Sequence, residues 1–405
     1  MSAPRSPDAG DGRAALLGFA LSLALFGCGE EGTEAATDAP FPNRRPAFVL
    51  PAGDVGLSSD NGSDSVSVLD LAALAPLGSA PVGRDPVDRD GPHHVAIDRA
   101  AGLAYTALAY PPPAVPPGPH AAHGSAERAG YVQKLALEDL RPLAEVRVEN
   151  NPGDIVLSED GTLLVVSHFD LARATEESEL EKRRAPLALI DPATLGAPRF
   201  VTTCIAPHGV ALSRPAGRLA FVACYGEDAV AVVDTTDPEA RPGLVAIGPG
   251  GSPGSPFYGP YAAVLSNDGE RVAVSNTLFG DVRLFAVETR EFLELGFVPD
   301  GTPYFAAWSA DDGVLYVPTQ SPDGLEAFDA ESGERLRRRS FEREDCELPH
   351  EAVFGSDPAA LFLVCEGDHR SPSVVLVLDP ESFETLASLP VGVYPDRLAI
   401  GRAAP

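Results

Sequence analysis

PGDIVLSEDGTLLVVSH occupies residues 152–168, and PYAAVLSNDGERVAVSN occupies residues 260–276. Each stretch begins with proline, runs through an apolar segment to a Ser-x-Asp-Gly turn, and ends in a second apolar segment. Asp and Gly supply the side-chain hydrogen bonds and the positive φ that tight hairpins need. Each stretch therefore predicts a β-hairpin, and the repetition predicts an array of similar units.

The same proline-led plan recurs along most of the chain, at intervals of 43 to 60 residues. Most copies are followed by two further strand-like runs, such as VVLVLD and LASLPV, which predicts four strands, A to D, in each unit. A four-stranded unit of about 40–50 residues is typical of a propeller blade. The copies begin at Pro92, Pro152, Pro207, Pro260, Pro303, Pro349 and Pro395.

The copy that begins at Pro395 has room for strand A only. We expect its strands B to D at the other end of the chain, in residues 47–51, 64–70 and 76–83. The two termini then complete one blade together, which removes the exposed sheet edges that invite aggregation. The sequence thus predicts an all-β fold over residues 47–405. This fold is a seven-bladed β-propeller of four-stranded antiparallel blades, whose ring is closed by N-terminal strands pairing with the C-terminal strand.

The pattern P-x5-S-x-D-G-x3-V-x followed by V-x-V-x-D resembles the YVTN-type repeat of secreted bacterial and archaeal proteins. The resemblance covers nearly all of the chain after residue 46 and implies a seven-bladed propeller. It implies little about function, because propellers serve as scaffolds, binders and enzymes alike. Among other propellers, some oxidases bind copper through channel histidines, and some lactonases use a polar channel mouth, often with calcium.

The N-terminus has the architecture of an export signal. AALLGFALSLALF, residues 14–26, follows two arginines and is too short to span a bilayer. Its end, LFGC, resembles a bacterial lipobox, which implies a signal peptide over residues 1–27 and lipidation of Cys28. The alternative is an ordinary signal peptide with a chance cysteine. In either case we expect export to the periplasm or cell surface, with a flexible tether over residues 28–46.

Export changes how the other four cysteines are interpreted, because an even number in an oxidising compartment favours disulfides. Cys204 and Cys346 each precede a blade-start proline by three residues, and Cys224 and Cys365 end strand B of the same units. We predict the bonds Cys204–Cys224 and Cys346–Cys365, each within one blade. A Cys/His metal site is the alternative.

The residues just after each blade-start proline should meet at the mouth of the central channel, where strand A of every blade begins. Their imidazole, phenol and carboxylate groups could bind a metal ion or a small polar ligand. Alternatively, they are solvated or bond to neighbouring loop carbonyls. The metal candidates are His93, His208 and His350, with copper or calcium as the ion; otherwise no cofactor is predicted. The candidate ligand-binding residues are His93, His94, Asp154, His168, His208, Tyr261, Tyr304, His350 and Glu351.

Two insertions lengthen the loops between strands B and C of the first two blades, at residues 110–130 and 169–184. The second has Glu and Arg or Lys at helical spacing, which predicts a short charged helix. Both should emerge on the face that carries the channel mouth, next to the long link of residues 248–259. Together they could form a recognition surface; drift in tolerant loops is the alternative.

The net charge of −29 argues against nucleic acid as a partner. The sequence contains no phosphate loop or H-E-x-x-H motif. We therefore expect a monomeric binding scaffold for a protein or glycan at the cell envelope, which touches the membrane through its lipid anchor only. The alternative is a metal-dependent oxidase or lactonase-type hydrolase with its site at the channel mouth.

Overall fold

The computed structural model describes residues 45–85, 87, 89–110 and 125–403. Over these residues the chain forms seven antiparallel sheets, of which six have four strands and one has an interrupted inner strand. The predicted signal peptide, Cys28 and most of the tether lie outside the described residues. Within the described ranges, no helix is long and apolar enough to cross a membrane.

The sheets follow one another in chain order, and blades are numbered from the first complete one. The N-terminal strands are β1 (Val55–Asp60), β2 (Ser65–Asp70) and β3 (Ala75–Pro81). Blade one is β4 (Pro92–Asp98), β5 (Leu103–Leu108), β6 (Ala129–Ala136) and β7 (Pro142–Asn150). Blade two is β8 (Pro152–Leu157), β9 (Leu164–His168), β10 (Arg184–Ile190) and β11 (Arg199–Ile205). Blade three is β12 (Pro207–Leu212), β13 (Leu219–Cys224), β14 (Ala229–Asp234) and β15 (Gly243–Ala246).

The remaining blades repeat this order. Blade four is β16 (Pro260–Leu265), β17 (Arg271–Asn276), β18 (Asp281–Ala286) and β19 (Glu291–Phe297). Blade five has a split inner strand, β20 (Thr302–Pro303) and β21 (Ala307–Trp308), followed by β22 (Val314–Gln320), β23 (Gly324–Asp329) and β24 (Arg335–Ser340). Blade six is β25 (Pro349–Ser356), β26 (Ala359–Cys365), β27 (Pro372–Leu378) and β28 (Thr385–Val393), and the C-terminal strand is β29 (Pro395–Gly401).

The ring closes as predicted, because blade seven has the strand order β29-β1-β2-β3. β29 and β1 pair antiparallel along their whole length, from Val55 opposite Gly401 to Asp60 opposite Pro395. The C-terminal strand is therefore the inner strand of a blade whose other strands come from the N-terminus, and the predicted seven-bladed, all-β fold is confirmed.

The position predicted for strand B of blade seven is wrong. Residues 47–51 form no strand, and strand B is β1, the Gly- and Ser-rich segment VGLSSD. Prolines bracket residues 47–51 and have no N–H to donate to a ladder, and Phe48 instead donates its backbone N–H to the Glu138 carbonyl at 2.7 Å. Small residues suit β1, because a Cβ on Gly56 would lie only 2.9 Å from Leu71 and 3.1 Å from Leu398.

The hydrophobic core lies between neighbouring blades. Val165 and Leu187 of blade two, for example, pack in one cluster with Val222 and Val233 of blade three, and all four are buried. Burying apolar area between blades is the main favourable term that holds such a ring together. Each blade is thus fixed by its two neighbours, which makes the channel a rigid frame for side chains.

Buried serines add a hydrogen bond between consecutive blades at three places. In each case the second-last residue of strand B donates its hydroxyl to the carbonyl of the residue that follows the blade-start proline of the next blade. The sequence carries this signal in SSD, VSH and VSN, where a serine stands next to the last residue of strand B. The bonds run from Ser59 to His93 (2.7 Å), from Ser167 to His208 (2.5 Å) and from Ser275 to Tyr304 (2.6 Å).

Both predicted disulfides are present, with Cα–Cα distances of 5.8 Å for Cys204–Cys224 and 5.2 Å for Cys346–Cys365. Their assignment to single blades is wrong. Cys204 lies in β11, the outer strand of blade two, whereas Cys224 ends β13 of blade three. The outer strand continues almost to the next blade-start proline, and Pro207 pairs with Cys224, which brings the two cysteines together. Cys346 likewise lies on the link between blades five and six.

The charged insertion of blade two contains two short helices where one was predicted, α1 (Leu171–Glu176) and α2 (Leu180–Arg183). Asp170 caps α1, because its carboxylate accepts a hydrogen bond from the Arg173 backbone N–H at 3.0 Å. The centre of the other insertion, residues 111–124, lies outside the described residues.

Candidate functional site: the central channel and the loop face

Four histidines that follow blade-start prolines meet in the channel. The rings of His93 and His94 stack with centroids 4.2 Å apart, and the His208 ring lies 5.8 Å from each of them. The ring centroid of His350 lies 6.5 Å from that of His94. The structure therefore brings these imidazoles to one place, as their shared position in the repeat predicted.

These histidines are not at an open, solvated mouth, because all four are completely buried. Phe169, the first residue of the blade-two insertion, packs edge-on against His208 at 4.9 Å. Tyr261 stacks flat on the same ring at 3.8 Å. Where an open mouth was expected, the histidine rings are buried, and His208 packs between aromatic side chains.

Each of the four rings is oriented by a hydrogen bond at Nδ1. Because the partner is a carbonyl or carboxylate oxygen, which only accepts, Nδ1 carries the proton and Nε2 of the neutral ring carries a lone pair. Three of the four partners are backbone carbonyls, and each belongs to the residue that follows the blade-start proline of the next blade. The Nδ1 partners are Gly153 O for His93 (2.5 Å), Asp154 Oδ1 for His94 (2.9 Å), Tyr261 O for His208 (3.2 Å) and Asp396 O for His350 (2.7 Å).

Asp396 completes this cluster, and it was not among the ligand-binding residues predicted from the sequence. It follows the last blade-start proline and is fully buried, and its Oδ2 lies 3.1 Å from Nε2 of His93. Burial, followed by the nearby carboxylates Glu366 and Glu351, raises the pKa of Asp396 well above its usual value. Donor atoms of His93, His94 and Asp396 all lie within 4.8 Å of one another. This set differs from the predicted metal candidates His93, His208 and His350.

An ion-paired layer lies next to the histidines, and its centre is Arg397, which holds the same position in its blade as His94, Asp154 and Glu351. The guanidinium lies 3.0 Å from Asp154 and 3.4 Å from Glu351, and it covers the Phe305 ring at 5.0 Å. Burial lowers the pKa of Arg397, but the surrounding carboxylates outweigh burial and raise it. Burial raises the pKa of Glu351 to about 7, although Arg397 opposes this.

A funnel of about 340 Å³ leads from the opposite face to this ion-paired layer. It is lined by the far ends of the inner strands, mainly by small and branched apolar side chains with Trp308, and Arg397 and Glu351 also line it. The predicted ligand-binding residue Glu351 is thus approached from the face that carries the shorter loops, not from the long-loop face.

The two predicted tyrosines pack among the histidines as buried phenols. Tyr304 lies 5.3 Å from the His350 ring, and burial raises its pKa above the usual value. Burial also raises the pKa of Tyr261 well above 10. Neither phenol is therefore ionised near neutral pH.

His168, by contrast, does not reach the cluster. Its Nδ1 donates to the Pro186 carbonyl at 2.7 Å, and its Nε2 accepts from the Glu149 N–H at 3.2 Å. Burial lowers the pKa of His168 to about 4, so the ring stays neutral. The expectation that strand B of blade two delivers a histidine to the channel is therefore not met.

The long-loop face carries an exposed apolar group, which we call the blade-four platform: Phe257, Leu278 and Phe279. These side chains are 49%, 52% and 46% exposed, and the two phenyl rings lie 5.3 Å apart. Tyr258 is buried beneath them, 5.1 Å from each ring. Phe257 belongs to the predicted recognition segment 248–259, whereas Leu278 and Phe279 come from the B–C loop of blade four.

The backbone under the platform is fixed by hydrogen bonds. The Asp228 carboxylate accepts from the N–H groups of Phe257 and Tyr258, at 2.6 and 2.8 Å. The N–H groups of Leu278 and Phe279 both reach the Tyr258 carbonyl, at 3.0 and 3.1 Å. The exposed rings are therefore held by a pre-formed base, which lowers the entropic cost of binding a partner.

No family model matches this sequence, and no curated protein matches it, so the YVTN-type repeat stays a prediction. Solved structures do match. The periplasmic gluconolactonase PpgL of Pseudomonas aeruginosa is 20% identical with a TM-score of 0.62, over 87% of this chain and 99% of that one. The dihydro-heme d1 dehydrogenase NirN is 16% identical with a TM-score of 0.56, over 89% and 78%. The β-propeller domain of Cps50 (Swd1) from Myceliophteria thermophila is 13% identical with a TM-score of 0.55, over 76% and 90%. At these identities the likeness supports the fold alone.

Proposed function

We propose that this protein is an exported, lipid-anchored binding scaffold that presents the blade-four platform to a protein partner at the cell envelope. The observation that carries the proposal is the platform itself, three large apolar side chains each about half exposed on a strongly acidic protein. Apolar clusters on a pre-formed base are typical of protein-binding sites, where aromatic anchors provide most of the affinity. A glycan is the other class of partner predicted from the sequence.

Export is supported by two independent features. Two disulfides connect consecutive parts of the ring, and such bonds persist in oxidising compartments. One similar structure is also described as periplasmic. The lipid anchor rests on the lipobox-like LFGC and Cys28.

The proposal is tested by placing a photo-crosslinking amino acid at Phe279 of the full chain in native cells. The matched control is the same probe at Phe200, which is 43% exposed and lies on β11 of blade two. We expect a crosslinked protein of defined mass from position 279 and none from position 200. Equal background at both positions, or crosslinks to cell-wall glycan alone, would contradict a protein-binding platform.

A metal-dependent enzyme is a second candidate, favoured by the channel cluster and by the funnel that ends at Arg397 and Glu351. Two of the similar structures are a dehydrogenase and a gluconolactonase by description. A substrate would enter through the funnel. Purified protein supplied with copper, zinc or calcium should then hydrolyse lactones, or oxidise small alcohols with O2 as the electron acceptor, and lose turnover in Glu351→Gln. Absence of turnover with all three metals would exclude this candidate.

A further inference from the structure

We propose that the channel binds one divalent transition-metal ion through Nε2 of His93, Nε2 of His94 and the carboxylate of Asp396, and that this ion latches the closed ring. The role is structural and needs no partner, so it goes beyond the binding function proposed for the loop face. Zinc and copper are the ions that such a set of donors suits best.

The contact between His93 and Asp396 is the first reason. Nδ1 of His93 donates to the Gly153 carbonyl, so Nε2 presents a lone pair. That lone pair lies 3.1 Å from a carboxylate oxygen of Asp396. Two acceptors at this distance repel each other unless a cation lies between them, and that cation is either a proton or a metal ion.

The spacing of the donors is the second reason. Ligands of a tetrahedral zinc ion at 2.0–2.1 Å are about 3.3 Å apart. Nε2 of His93 and Oδ2 of Asp396, 3.1 Å apart, are close to this separation, and a ring nitrogen of His94 lies within 4.8 Å of the donor atoms of both. A small movement of one ring therefore completes a three-ligand set.

The groups behind the ligands are the third reason. Metal-binding histidines typically donate their other N–H to a carboxylate or a carbonyl, which fixes the tautomer and strengthens the ligand. His93 donates to a carbonyl and His94 to the Asp154 carboxylate. Asp154 is itself held by the Val210 N–H and by Arg397, both at 3.0 Å. The support expected around a metal site is thus complete on both rings.

The neighbouring rings decide the class of ion. His208 lies 5.8 Å from both His93 and His94, which places a further imidazole beside the three ligands. A site rich in imidazole suits zinc, copper and nickel, whereas calcium prefers six to eight oxygen ligands. The structure therefore favours copper over calcium, the two ions named from the sequence, and adds zinc.

The position of the site explains a structural role. His93 and His94 lie on β4 of blade one, and Asp396 lies on β29, the strand that completes blade seven. An ion bound by all three joins the two sides of the ring closure inside the channel. Burying a carboxylate away from water is costly, and a bound cation offsets that cost. Because the three residues meet only in the closed ring, metal binding contributes directly to folding.

The test is the metal content and thermal stability of the purified full chain. We expect one equivalent of zinc or copper per chain, a melting temperature that falls by several degrees after chelation, and recovery when Zn²⁺ is returned. His94→Asn keeps a donor near the Nδ1 position but removes Nε2, and Asp396→Asn keeps the shape but removes the charge. Both should lose the metal and the response to Zn²⁺.

His168→Asn is the matched control, because it alters an equally buried histidine outside the cluster. It should retain the metal. The proposal would be overturned if the purified protein contained no metal and its melting temperature did not rise with Zn²⁺, Cu²⁺ or Ni²⁺. The cation between His93 and Asp396 would then be a proton. This wild-type measurement decides the question even if a variant fails to fold. Crosslinking from Phe279 reports separately on the loop face, so either proposal can fail alone.

Discussion

Nε2 of His93 lies 3.1 Å from Oδ2 of Asp396, and this contact joins the first strand of blade one to the last strand of the chain inside the channel. The same C-terminal strand pairs with β1 along its length. The ring is thus closed both by a backbone ladder and by buried side chains. Closure of the ring should therefore depend on the short C-terminal strand β29.

Deleting residues 395–405 should prevent a stable monomer, because it removes the inner strand of blade seven and exposes the edge of β1. Size-exclusion chromatography and circular dichroism would detect the expected aggregation and loss of cooperative melting. Deleting residues 402–405 alone spares β29 and serves as the control. A monomeric, cooperatively melting 395–405 deletion would refute the importance of closure.

Ser59→Ala should lower the free energy of unfolding by about 1–3 kcal/mol, because it leaves the buried His93 carbonyl without its donor. Ser167→Ala and Ser275→Ala should have similar effects, since they remove the equivalent bonds in other blades. Urea denaturation measures the change. Ser79→Ala, at an exposed position of β3, should change stability by less than about 0.5 kcal/mol. Equal stability of all four variants would contradict the blade-to-blade role.

The Cys204–Cys224 bond closes a loop with a sequence separation of 20. Replacing both cysteines with serine should cost about 3 kcal/mol in the chain-entropy model. Because the bond joins the outer strand of blade two to blade three, hydrogen exchange should rise in β11 more than in β15. Faster exchange confined to blade three would indicate that the bond does not hold the two blades together.

Stability should fall as the pH rises from about 4 to about 7, partly because of Asp60. Burial raises the pKa of Asp60 to about 7, although hydroxyls of Ser58, Ser65 and Ser67 oppose this. The pKa of Asp60 is higher in the folded protein than in the unfolded chain. Its contribution to the free energy of unfolding is therefore fully present below the pKa of the unfolded chain, and it is lost as the pH rises to the pKa of the folded protein. One proton corresponds to a slope of about 1.4 kcal/mol per pH unit.

Asp60→Asn should flatten this slope, which chemical denaturation at several pH values would measure. Glu331→Gln, at an exposed position, should leave the slope as it is in the wild type. An unchanged slope in Asp60→Asn would mean that Asp60 is already ionised in the folded protein at acidic pH.

The repeat predicted the fold because each blade repeats the same local rules, a proline, an apolar strand and an Asp-Gly turn. The exception was β1, whose Gly56, Ser58 and Ser59 lack the branched residues that mark a strand. They suit a position between two other strands, where small side chains are needed. Such a requirement comes from tertiary packing and has no local signature.

The candidate site could be predicted only in part. The repeat position placed His93, His94, His208 and His350 together, but it gave no indication that Phe169 would cover them. Asp396 held the same repeat position and could have been selected. The same repeat position placed Arg397 at the channel mouth, and Phe257 belonged to a predicted recognition segment. The ion pairs of Arg397 and the packing of Phe257 against Phe279 could not be predicted, because they depend on which side chains face each other in the folded ring.

The most direct test of the binding function is the affinity of the purified chain for the protein that crosslinks at position 279. In the Phe257→Ala/Phe279→Ala double variant we expect affinity to fall at least about tenfold, with no change in melting temperature, because exposed aromatic anchors contribute to binding rather than folding. Phe200→Ala/Leu244→Ala, at exposed sites in β11 and β15, should bind like the wild type. Unchanged affinity of the platform variant would contradict the account.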